Sequence, residues 1–220
     1  MFNDRFVFAF TLLLTVPLLL SACGGGEEAP SPETESKAEA TGPTGSVQYA
    51  ANFDGEQPER SEADASGNPE CGVDTVKGEE IMVNDNNTLR DVVISVTGGP
   101  SGLEAPTEEV VIDQKNCRYQ PHVITAKTDQ TVEITDSDPS MHNVRATNAE
   151  GEQLFNLTTF EGDRKEVTFE ESGYVHLECD IHPWMEAWVY VTEHGQAKVT
   201  GKDGEATLED LPTGDYDLEA

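Results

Sequence analysis

The chain of 220 residues carries 43 aspartates and glutamates against 13 lysines and arginines, a formal charge of −30. That balance excludes nucleic acid as a partner, because phosphates are held by Lys and Arg. It fits a surface kept hydrated at high salt, where screening removes self-repulsion, and so a salt-loving source is expected.

Residues 1–22 read as a targeting segment rather than part of a fold. Arg5 gives a modest basic start, Phe6 to Leu20 is a nearly unbroken apolar run, and Leu20-Ser21-Ala22-Cys23 closes it. The run is short for a spanning helix and is followed by Gly24-Gly25-Gly26 instead of basic residues. The closing tetrapeptide resembles the lipobox of bacterial lipoproteins, which implies that Cys23 becomes the lipidated first residue of the mature chain. Such a chain is periplasmic or at the cell surface, anchored to a bacterial membrane, where disulfides survive. Residues 23–45 are rich in Gly, Glu, Pro, Ser and Thr, with too little apolar surface to offset ordering entropy, and are expected to be a disordered tether.

From Ser46 the pattern changes to short strands. Val47, Tyr49 and Ala51 alternate, and Ile81–Val83 and Val92–Val96 read as two strands about the Asn84-Asp85-Asn86-Asn87 turn. Further on, Val110–Ile112, Tyr119–Lys127 and Thr131–Thr135 are strand-like, the last two joined by a turn at Thr128-Asp129-Gln130 and read as antiparallel. Asp136-Ser137-Asp138-Pro139 ends that run and delivers His142, with Val144 and Ala146 on its face. Lys165–Phe169 and Tyr174–Glu178 follow, separated by Glu171-Ser172-Gly173, and Ala187–Val191 is the last strand of this unit. In Tyr174–Glu178 the alternation puts Val175, Leu177 and Cys179 on the inward face. The fold class is all-β.

The chemistry concentrates in Cys179-Asp180-Ile181-His182-Pro183-Trp184-Met185, which offers a thiolate, an imidazole and a thioether with two residues between neighbours. A lone Cys or Met is more often core filler, but this soft set in one loop suits copper, whereas zinc favours harder or more thiolate-rich shells. A second imidazole has to come from elsewhere, and His142 is the natural supplier. Cys-x2-His-x2-Met with an upstream His142-Asn143 resembles the cupredoxins, small blue-copper electron carriers, and the short loop with Pro after the His looks most like that of the amicyanins.

The resemblance covers residues 108–194 and implies a Greek-key β-sandwich holding one copper ion, Cu+ or Cu2+. It implies His142, Cys179 and His182 in a trigonal plane with Met185 as weak axial donor. Asn143 then ties the two ligand segments together, and the N–H of Ile181 gives the sulfur a further hydrogen bond. Trp184 is a candidate for docking exported redox proteins, while Trp188 is expected in the core. Cys179 is flanked by Glu178 and Asp180 and not by the His that wires blue copper to a second centre in copper enzymes, so a carrier and not an enzyme is expected. With Cys23 assigned to lipid and Cys179 to metal, Cys71 and Cys117 are left to pair; the rival is a second metal site with His122.

The tail, from Ala197 through Lys202-Asp203-Gly204 to Leu211-Pro212-Thr213-Gly214, resembles the carboxypeptidase regulatory-like, transthyretin-type β-module. Its halves would be 46–107 and 195–220, a smaller sandwich into which the 108–194 unit is inserted. The chain stops at Ala220 in a strand-like run, which reads as a truncated module.

Overall fold

A computed structural model of the chain describes residues 43–100, 102–103 and 108–220. The targeting segment, Cys23 and most of the expected tether lie outside them. The described part is all-β, and none of its helices is long and apolar enough to cross a membrane.

Among the described residues eighteen strands follow one another: β1 (Thr44–Ala50), β2 (Glu62–Asp64), β3 (Thr75–Lys77), β4 (Met82–Val83), β5 (Leu89–Arg90) and β6 (Val93–Gly98) before the central unit. That unit holds β7 (Val110–Gln114), β8 (Tyr119–Gln120), β9 (Val123–Lys127), β10 (Val132–Asp136), β11 (His142–Thr147), β12 (Gln153–Thr159), β13 (Arg164–Val167), β14 (Gly173–Glu178) and β15 (Glu186–Thr192). After it come β16 (Ala197–Val199), β17 (Glu205–Pro212) and β18 (Asp217–Glu219). The short 3-10 turn Pro69–Cys71 lies between β2 and β3.

The central strands form a four-stranded sheet, β13-β10-β7-β8, and a five-stranded one, β12-β11-β14-β15-β9. Between them lies one apolar core built from alternate residues, among them Ile112, Ile134, Val144, Leu177 and Val189, all at most 1% exposed. Each such side chain contributes roughly 1.5–3 kcal/mol by leaving water.

The flanking segments pair with each other: β1 with β17, and β6 with both β16 and β18. Val96, Leu208 and Leu211 make a small core of their own there.

Four expectations change. The Asn84–Asn87 turn joins β4 to β5, not to the Val92–Val96 run, which belongs to β6 in another sheet. Tyr119–Lys127 is two strands, because the chain leaves the four-stranded sheet after Gln120 and enters the other at Val123. β9 and β10 therefore do not pair; each instead has a parallel partner, β15 and β7 respectively. Trp188 lies outside the core, 37% exposed and stacked on His176 at 4.1 Å between ring centroids.

Candidate metal centre

Pairing between β14 and β15 ends at Glu178 and Glu186, so residues 179–185 form the loop joining two neighbouring strands. The loop closes on itself: the Cys179 N–H donates to the Met185 carbonyl at 3.1 Å and the Met185 N–H to that of His182 at 2.8 Å. Alternation along β14 carries Cys179 inward, where it is 3% exposed; Met185 is 1% exposed in the same core. His142 opens β11, which lies beside β14, and its face with Val144 and Ala146 is fully buried.

The two segments bring the donors together. His142 Nδ1 is 3.0 Å from His182 Nδ1, and Cys179 Sγ is 3.8 Å from the same His182 atom. Neither imidazole has any exposed surface. The Asp138 carboxylate accepts from His142 Nε2 at 3.0 Å, which keeps a proton on that nitrogen and leaves Nδ1 to face the sulfur and the other ring. Lone pairs converging in a dry site need a shared cation or proton, and two imidazole nitrogens with a thiolate form a donor set that fits a soft metal ion.

The surroundings favour the ligating states of Cys179 and His182, but not that of His142. Burial pushes the Cys179 thiol up, but hydrogen bonding with His142 and from the backbone N–H groups of Asn143, His182 and Ile181 outweighs it, and the thiol lies below its usual range. Burial and the neighbouring His142 hold His182 below the ordinary imidazole range, which favours its neutral form. For His142, burial opposes the charge, yet its bonds to Cys179 and Asp138 raise it overall.

Asn143 joins the ligand segments directly. Its side-chain oxygen accepts the Asp180 N–H at 2.8 Å, and its amide donates to the Asp180 carboxylate at 3.0 Å. Arg145 holds the other Asp180 oxygen at 2.8 Å. From the opposite sheet, the buried Tyr119 hydroxyl donates to the Asn143 carbonyl at 2.6 Å.

Cys71 and Cys117 are disulfide-bonded, as expected, with Cα atoms 5.2 Å apart. The rival grouping with His122 is not what the bridge approaches: Cys117 Sγ lies 3.8 Å from His182 Nε2, whereas His122 Nδ1 lies 3.1 Å from the Glu186 carbonyl. Asn116 and Cys117 both have left-handed backbone, φ 54° and 51°, which turns their N–H groups onto Asp138 at 2.6 and 2.7 Å. One carboxylate thus fixes both His142 and the loop bearing the bridge.

Trp184 is half-buried. Its Nε1 donates to the Cys117 carbonyl at 3.2 Å and its ring packs 5.4 Å from that of His182. The exposed apolar side chains beside the ligand segments are Met141, Phe160 and Ile181. Asp138 and Tyr119 carry no motif of their own; the only hint in the sequence is that Asp138 stands four residues before His142.

No protein-family model and no curated protein matches the chain. Among solved structures it is similar to a purple cupredoxin from Nitrosopumilus maritimus, at 28% identity over 38% of this chain and 100% of that one, TM-score 0.35. It is similar also to amicyanin from Paracoccus versutus, at 23% identity over 45% of this chain and 97% of that one, TM-score 0.36. A copper-containing nitrite reductase from Thermus scotoductus matches at 23% identity over 39% of this chain but only 23% of its own length, TM-score 0.36.

Proposed function

We propose that the chain is an exported, lipid-anchored type 1 copper protein that carries single electrons between redox partners. The observation that carries this reading is the buried convergence of His142 Nδ1, His182 Nδ1 and Cys179 Sγ. Bound there, copper supplies a one-electron change between Cu+ and Cu2+. His142, His182 and Cys179 would hold it, with Met185 as the weak fourth donor. Asn143 and Asp138 keep those donors in place, so little has to rearrange when the charge changes. Complete burial also disfavours a copper shuttle, whose donors have to be reachable for exchange. The apolar side chains Met141, Phe160 and Ile181 offer a partner a surface beside the ligand segments, and Cys23 offers the anchor.

The test is the visible spectrum of the oxidised, copper-loaded chain. An intense thiolate-to-copper band is expected; Cys179→Ser abolishes it, and Met185→Leu only shifts it. A colourless wild-type protein, or a band surviving Cys179→Ser, sinks the reading.

A further inference from the structure

The imidazole of His182 has two edges. Nδ1 faces the converging donors, and Nε2 faces Cys117 Sγ at 3.8 Å. That side of the cage is covered by chain from outside the sandwich, since Cys71 belongs to the 3-10 turn between β2 and β3. The β2–β3 hairpin bonds chiefly to itself, through its own ladder and the Ala65 N–H to Asp74 carbonyl bond. Its ties to the sandwich include the bridge, Arg118, which reaches the Lys77 carbonyl and Glu79, and the approach of His122 Nδ1 to the Glu79 carboxylate at 3.9 Å. With both cysteines and the ring at most 1% exposed, the closed bridge seals the outer edge of His182 completely.

Building on the copper reading above, we infer that the Cys71–Cys117 bridge is a latch on the metal cage: the ion enters while the two thiols are free, and bridge formation locks it in. In the bridged structure Cys71 Sγ, Cys117 Sγ and a ring nitrogen of His182 lie within 4.8 Å of one another; with the bridge open, the two thiols would present soft donors at the mouth. Closure is a thiol–disulfide exchange with a small or protein disulfide of the export compartment. The two protein thiols lose two electrons and two protons to form one S–S bond, and the incoming disulfide is reduced to two thiols. Once formed, the bridge ties the hairpin down and makes the local opening that exposes His182 rare.

The experiment follows transfer of Cu+ from the loaded full-length chain to bathocuproine disulfonate. Ascorbate keeps the metal reduced without opening disulfides. Four samples are compared: the oxidised wild type; the wild type opened with a phosphine and desalted without oxygen; the Cys71→Ser/Cys117→Ser variant; and Leu208→Ala, which weakens the small core away from the cage. The opened wild type and the double variant are expected to release copper about tenfold faster or more, with Leu208→Ala at the wild-type rate. Release within about twofold across all samples overturns the latch, as does equal acceleration by Leu208→Ala, which assigns the effect to general destabilisation. If the double variant fails to fold, the opened wild type decides alone. A chain that takes up no copper in either thiol state overturns the underlying reading as well, whereas a loaded chain with unchanged release overturns only the latch.

Discussion

At the scale of single residues, the sulfur of Cys179 is set among several hydrogen-bonding groups. Three backbone N–H groups, those of Asn143, His182 and Ile181, help hold it below the ordinary thiol range against the cost of burial. The Ile181 contribution exists because that position is not proline. Hydrogen bonds to the thiolate draw charge from it and favour the more electron-rich metal state. Ile181→Pro removes one donor while the other two remain. A bond worth about 1 kcal/mol corresponds to a reduction potential about 40 mV lower in a one-electron couple. Protein-film voltammetry measures this directly, and an unchanged or higher potential counts against a role for that N–H.

At the scale of elements, the placement of Cys179 in the core was legible because period-two alternation is a local signal. Val175, Leu177 and Cys179 have to share a face once β14 is a strand. Trp188 obeys the same rule, alternating with the buried Ala187 and Val189, and its outward position could have been read from that pattern. Sheet membership is different. Tyr119–Lys127 looks continuous, but its halves serve two sheets, and that depends on partners far away in sequence. Asp138 and Tyr119 were invisible for the same reason, since their partners meet them only in three dimensions. The flanking elements form a separate packing problem: β17 places Leu208 and Leu211 against Val96 of β6, with none of the cage residues in that cluster. Leu208→Ala is therefore expected to cost about 2–5 kcal/mol locally. Amide hydrogen exchange should quicken in β1, β6 and β17 while the amides of β11 and β14 hold their protection. Equal loss in β11 and β14 would show the two cores to be one cooperative unit.

At the scale of the whole molecule, the excess of carboxylates sets the response to salt. Arg90, Arg118, Arg145 and Arg164 are each already paired with acidic groups, Arg90 with both Glu79 and Asp91. With 13 basic side chains for 43 acidic ones, most carboxylates have no cation to meet and repel one another across the surface. Folding brings these charges closer together than they are in the extended chain, so the repulsion falls chiefly on the folded state. Raising the ionic strength from about 0.01 M to 1 M shortens the screening length from roughly 30 Å to 3 Å, below the spacing of most surface charges. The few ion pairs weaken too, but exposed pairs are worth at most about 1 kcal/mol each, and the unpaired acids outnumber them. The melting temperature is therefore expected to rise between millimolar and molar KCl, with urea at equal concentrations producing the opposite trend. Calorimetry of the metal-free chain separates this from any effect on metal binding, and a flat or falling profile would mean that the acidic surface serves a cationic partner instead of a salty medium.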